Sequence, residues 1–230
     1  MISLKLLIYL SIGTVMMMIP ILMYTHWYKI QMWKSIPIAV LLTISGTVGT
    51  YILYYIENHW IGGTSFYGAV FLVPVLFLLV ARLVKEKYSD LLDMCAPAEC
   101  IMLVIMKIQC QISGCCAGKE LFLLDGTTMV RFPSQIAELI NALVIFLLLI
   151  CLARKKHFRG GQYPLYMIVY GSSRFVLNFF RENNTVYAMG LPAGAFWSVW
   201  SVLLGGIALL IWYNRKKTSN MQTQKDDCCE

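Results

Sequence analysis

The chain has 230 residues, 59% of them apolar and only 13% charged, with a formal net charge of +7. Soluble chains run nearer ~45–50% apolar and ~25% charged. The composition excludes a disordered segment, a collagen-like repeat, a coiled coil and a nucleic-acid binder driven by charge density, and leaves a polytopic membrane protein.

A bilayer span takes ~20 apolar residues. The hydropathy pattern predicts an all-α fold of about seven spans, near residues 4–24, 36–56, 66–84, 92–112, 135–153, 162–180 and 191–213. They make residues 1–213 a single integral membrane domain, with no room for a separate soluble one. Residues 214–230 form a basic, then acidic tail. The first span begins almost at Met1 and has no small-residue cleavage site, so it reads as a retained helix rather than a signal peptide. The second carries Gly46 and Gly49 at close-packing spacing, and Pro74 can kink the third. The fourth starts at Asp93-Met94-Cys95-Ala96-Pro97 and ends in Gln109, Gln111 and Ser113. That is too polar for a lipid-facing helix and predicts a buried or partly re-entrant segment.

Thirteen of the 19 Lys and Arg lie in segments 25–35, 82–91, 154–161 and 214–230, on every second connection. The positive-inside rule then predicts an outside N-terminus and a cytoplasmic C-terminus. The eight cysteines show no zinc spacing and no disulfide framework, and the Cys228-Cys229 tail is not a prenylation box.

The other six cations are Lys5, Lys107, Lys119, Arg131, Arg174 and Arg181. Lys5 can snorkel from a helix end. Lys107 and Arg174 sit inside apolar spans, where a cation costs at least ~2.5–3.5 kcal/mol on insertion scales. Arg181 lies two helical turns beyond Arg174, with Asn178 between them, which predicts a column of positive charge along the sixth span. Internal salt bridges with Glu99 or Glu138 can satisfy these cations without a ligand. Alternatively, the cations outnumber the acids of the outer half and match a phosphate group, whose oxygens suit Arg forks. Two small-residue turns fall on the same side. One is Gly62-Gly63-Thr64-Ser65-Phe66-Tyr67-Gly68 and the other Ser113-Gly114-Cys115-Cys116-Ala117-Gly118. Each is either an ordinary loop or a place where the backbone approaches something closely. Pro133 and Ser134 can start the fifth helix, with Glu138 one turn inside.

In this order the pieces resemble the bacterial prolipoprotein diacylglyceryl transferases, from about Gly46 to Leu210. Gly62 to Gly68 is similar to the family's Gly-Gly loop. Asp93 to Gly118 is similar to its Asp-x-x-Ala-Pro stretch and signature segment. Pro133-Ser134-Gln135-Ile136-Ala137-Glu138 is similar to its Pro-Thr-Gln-x-Tyr-Glu, and Tyr170 to Glu182 to its Tyr-Gly-x-x-Arg-Phe…Arg segment. Gly190-Leu191-Pro192-Ala193-Gly194 is similar to the start of its last helix. The resemblance implies a multi-pass enzyme of the bacterial inner membrane that moves a diacylglyceryl group from phosphatidylglycerol to the lipobox cysteine of a prolipoprotein, releasing glycerol 1-phosphate. It implies no metal and no organic cofactor, and its partners are phosphatidylglycerol, the lipobox peptide and membrane lipids, not nucleic acid. Carried over by position, Lys107 and Arg174 hold the lipid phosphate, Tyr67 orients the thiol or head group, and Glu138 positions a cation or assists proton transfer. Arg181, Gly63, Gly68, Gly114 and Asn178 join them in substrate binding.

Several positions depart from the family pattern. Lys107 stands where the signature has Arg, which keeps the charge and loses the fork. Tyr67 stands where the family often has His, and an ordinary phenol (pKa ~10) is a poor base at neutral pH. Asn178 stands where Glu is usual, and Cys110 is followed by Gln111 rather than Phe. A divergent paralogue acting on another phospholipid or acceptor fits the same residues. So does a small anion or lipid transporter, although the halves of the chain show no repeat of the kind transporters carry.

Overall fold

The computed structural model describes residues 4–57, 64–115, 118–124, 128–155, 158–182 and 186–226. Among them are seven α-helices: α1 (Leu4–Tyr28), α2 (Ser35–Glu57), α3 (Tyr67–Val84), α4 (Tyr88–Ser113), α5 (Ser134–Ala153), α6 (Gln162–Asn178) and α7 (Ala193–Asp226). Two short antiparallel hairpins ride on the connections. Strands β1 (Glu120–Leu124) and β2 (Thr128–Arg131) lie between α4 and α5, and β3 (Val186–Ala188) and β4 (Leu191–Pro192) between α6 and α7. Five helical stretches are long and apolar enough to cross a membrane: Leu7–Tyr28, Met32–Glu57, Tyr67–Val84, Ser134–Ala153 and Ala193–Thr218. Of the other two, α6 has 17 residues, and α4 carries the buried Asp90, Asp93, Glu99 and Lys107.

Helix α4 is the centre of the bundle. It packs against α1 and α5, while α2 lies along α3 and α6 along α7. Every residue from Asp90 to Cys100 is buried. The fourth span is thus one continuous helix whose first half is covered by its neighbours, while Gln111 and Ser113 at its far end are exposed. It begins at Tyr88, one turn earlier than the hydropathy pattern suggests.

At one end of the bundle a polar network anchors three helices. Asp93 accepts the backbone N–H groups of Gly160 (2.5 Å) and Gln162 (3.0 Å), so it satisfies donors that the first turn of α6 leaves open. Tyr28 donates to the same carboxylate at 3.0 Å, and Gln162 donates to Tyr28 and accepts from Tyr24. Arg159, in the α5–α6 connection, pairs with Asp90 at 2.5 Å and stacks on the Tyr28 ring at 4.3 Å. The hydrogen bond to Asp90 raises the Arg159 guanidinium above its ordinary pKa. The Asp-x-x-Ala-Pro stretch is therefore a structural joint, remote from the cations of the fourth and sixth helices.

Pro74 leaves α3 unbroken. Lacking an N–H, it cannot bond the Val70 carbonyl four residues back. The Tyr163 hydroxyl of α6 lies 3.0 Å from that carbonyl and 3.1 Å from Glu99 Oε1, and shares its one proton between them. Such rescue by a neighbouring helix is how a bilayer helix tolerates proline.

Gly49 and Gly68 explain the close approach of α2 and α3. A Cβ on either would run into the backbone carbonyl of the other. Gly68→Ala is expected to lower stability by about 1–3 kcal/mol, since a backbone atom cannot rotate away. Thermal unfolding of the purified protein in detergent measures this, and an unchanged midpoint would contradict the packing role.

Helix α7 continues past the expected span end at residue 213, as far as Asp226. Trp212 bonds the Arg159 carbonyl at 3.1 Å, and Lys216 lies over its ring at 5.1 Å.

Candidate functional site

A cavity of about 410 Å³ opens between the helices at the end opposite the Asp93 joint. Tyr67, Lys107, Glu138, Arg174, Asn178 and Arg181 all line it. These six come from four helices and one connection and are far apart in sequence. Two other expected site residues do not line it. Gly68 faces Gly49, and Gly114 closes α4 as a left-handed cap with φ +66° and open space where a side chain would be. Gly63 falls outside the described residues.

The centre of the site is Glu138, 3% exposed. Its Oε2 meets Lys107 Nζ at 2.5 Å and its Oε1 meets Arg174 Nη1 at 2.5 Å. Lys107 and Arg174 are themselves buried. Sequence reasoning left open whether internal salt bridges satisfy these cations. They do so only in part, because one carboxylate serves two of them and a unit of positive charge remains. Arg174 Nη1 is held against Glu138 Oε1, and the guanidinium keeps further N–H donors beyond that contact. An anion entering the cavity would accept from them.

Arg181 reaches the cavity by a route the sequence does not suggest. Helix α6 ends at Asn178, so Arg181 is not part of a continuous helical column. The chain turns tightly there, with Arg181 N–H on the Asn178 carbonyl at 3.3 Å. An isolated bridge pairs Arg181 with Gly118, and Lys119 N–H bonds the Phe180 carbonyl at 2.9 Å. The α4–α5 connection thus clamps the end of α6 and holds Arg181 over the opening. Arg131, another cation outside the basic segments, pairs with Glu120 and Glu182 on the exposed side.

Tyr67 opens α3 and is buried at 3% exposure. Its hydroxyl lies 2.6 Å from Ser198 Oγ. Ser198 has one proton and gives it to the Gly194 carbonyl at 2.6 Å. Tyr67 must therefore be the donor to Ser198, and its own proton is directed to α7, away from the cavity. Only its lone pairs are left to meet a ligand.

Two acids besides Glu138 line the cavity, Glu57 and Glu99. Among the described residues three acids and three cations thus line the cavity, with Glu99 the deepest of the acids. Glu99, two turns from Lys107 toward the joint, shares the Tyr163 hydroxyl proton with the Val70 carbonyl, its Oε1 at 3.1 Å from that hydroxyl. Glu57 ends α2 and accepts from Ser65 Oγ at 2.7 Å. Sequence reasoning passed over Glu57. The available signal was an acid closing an otherwise uncharged apolar run just before the Gly-Gly loop.

Among the described residues no three His, Cys, Asp or Glu side chains gather as metal ligands would, and Cys95, Cys100, Cys115 and Cys151 are free thiols.

Residues 5–212 match the family described as prolipoprotein diacylglyceryl transferase. The chain belongs to that family. It is 27% identical to the phosphatidylglycerol–prolipoprotein diacylglyceryl transferase of Francisella tularensis subsp. holarctica, over 89% of this chain and 88% of that one. It is 29% identical to the enzyme of the same name from Geobacter sulfurreducens, over 78% and 76% of the two chains. This is a low-identity member of a membrane transferase family of lipoprotein biosynthesis, and a multi-pass protein of the bacterial inner membrane.

Proposed function

We propose that this chain transfers a diacylglyceryl group from phosphatidylglycerol to the lipobox cysteine of a prolipoprotein and releases glycerol 1-phosphate. The observation that carries the reading is the Glu138 carboxylate shared by Lys107 and Arg174 inside a membrane-embedded cavity. In the reaction a thiolate attacks the diacylglyceryl carbon that bears the phosphate ester. The carbon–oxygen bond breaks, and the electron pair stays on the phosphate oxygen, which gains charge as it leaves. Lys107, Arg174 and Arg181 are fixed before the reaction and stabilise that growing charge without reorganising. Their placement around a cavity among apolar helices suits a substrate that arrives sideways from the bilayer. Tyr67 accepts a hydrogen bond from the head group, and Asn178, packed against Gly194, shapes the wall below Arg181. Residues 1–213 form the transferase domain. All seven helices cross the membrane, with the cavity on the outer side and the Asp93 joint, with its surrounding Lys and Arg, on the cytoplasmic side.

Expression in bacterial cells depleted of their own transferase tests the reading. A lipobox reporter followed by mass spectrometry is expected to gain a diacylglyceryl adduct. An unmodified reporter beside a folded, inserted protein would overturn the proposal. An adduct of different mass would identify another lipid donor.

A further inference from the structure

We propose that Glu57 is the group that takes the proton from the acceptor thiol. The inference rests on the transferase reading above. That reaction replaces an S–H bond with an S–C bond, so the proton needs an acceptor near the incoming peptide. Tyr67 is excluded by its wiring, since a neutral phenol that donates to Ser198 is a feeble base. Three carboxylates remain in the cavity wall. Both oxygens of Glu138 face cations, so adding a proton would undo the pairs that hold Lys107 and Arg174. Glu99 lies eight residues before Lys107 on α4, about 12 Å deeper by helix rise. It is 3% exposed and bonded to Tyr163.

Glu57 differs from both. It closes α2 and lines the cavity beside the residues that enter α3, Thr64 to Tyr67. Among the described residues no cation lies within ion-pair distance of it. Ser65 Oγ fixes its Oε1 at 2.7 Å and sets the direction of the carboxylate. Trp197 lies against the same group. The charged side chains sharing its cavity are Lys107 and Glu99 of α4, Glu138 of α5, Arg174 of α6 and Arg181 beyond it. The thiol proton moves to a Glu57 oxygen, and the sulfur pair forms the S–C bond. The carbon–oxygen pair leaves on glycerol phosphate toward Lys107, Arg174 and Arg181, and Glu57 gives its proton to solvent as the product departs.

The test uses the full chain in phosphatidylglycerol-containing nanodiscs with a lipobox peptide. Glu57→Gln is expected to lower turnover by about 10²-fold or more, with the KM for the lipid unchanged. Its residual rate should climb with pH as the free thiolate becomes available. A peptide with selenocysteine in place of the lipobox cysteine is ionised at neutral pH and needs no base. The deficit of E57Q should therefore shrink to a few-fold with that peptide, and Glu57→Asp should keep part of the rate with either. The selenol-to-thiol rate ratio is taken within one protein preparation, so partial unfolding does not move it. Equal deficits with both peptides, or a loss under threefold, would overturn the proposal. A wild-type chain that modifies neither peptide would overturn the transferase reading, and the Glu57 role with it.

Discussion

Arg174→Met is expected to slow diacylglyceryl transfer by about 10²–10³-fold, the usual effect of removing one preorganised donor from a developing oxyanion. The charge arrangement explains why the loss should be that large. With Arg174 gone, Glu138 and Lys107 form a closed, neutral pair, and the residual positive charge at the base of the cavity disappears. The leaving phosphate then faces Arg181 alone. Arg174→Lys should recover only part of the rate, because an ammonium replaces a two-point fork with one point. Lys107 should behave in the opposite sense. Lys107→Arg adds the fork that the family signature carries and should preserve or raise the rate, whereas Lys107→Met should lose it. Initial rates of adduct formation on a lipobox peptide decide the matter. An Arg174→Met enzyme within threefold of wild type would contradict phosphate binding there, as would a Lys107 site that tolerates Met but not Arg.

What the sequence revealed, and what it hid, follows from the kind of signal each residue leaves. An apolar run of bilayer length is a strong local signal, and α1, α2, α3, α5 and α7 are found where hydropathy puts them. Helices α4 and α6 were visible as weaker runs because their polar residues serve the joint and the cavity. Lys107, Arg174 and Glu138 stood out for one physical reason: a charge in an apolar span needs a partner. That all three meet at one carboxylate could not be read, because pairing across α4, α5 and α6 depends on helix rotation, which carries no local pattern. Gly68 shows the reverse error. A glycine beside a candidate loop looks like a place for substrate, yet it is the partner of Gly49, and only the packed pair reveals that. Arg181 lines the cavity, but not by the geometry the sequence suggested. The continuous helix assumed through residue 180 stops at Asn178, and a bridge to Gly118 does the positioning instead.

Glu138→Gln is expected to be the most destabilising single change in the site. It leaves Lys107 and Arg174 facing each other in a buried place with no counter-charge. Breaking a buried ion pair from one side typically costs about 3–5 kcal/mol, because the orphaned charge stays behind. Here two charges are orphaned, and their mutual repulsion adds to the loss. Thermal unfolding in detergent should show a clear fall in midpoint. Two further measurements separate this cause from simple loss of packing. Adding Lys107→Met to Glu138→Gln removes one orphaned cation and should recover stability, so the double variant should melt above the single one. That is a coupling that independent sites would not show. Adding phosphatidylglycerol should also raise the midpoint of E138Q by more than that of the wild type, since the phosphate takes the place of the missing carboxylate and a ligand stabilises in proportion to its preference for the folded state. Additive effects of Lys107→Met and Glu138→Gln, together with equal lipid shifts in both proteins, would mean that the cations are not held by Glu138 in the way the geometry implies. A recovery by the second mutation without any lipid effect would keep the ion-pair account and remove the phosphate from it.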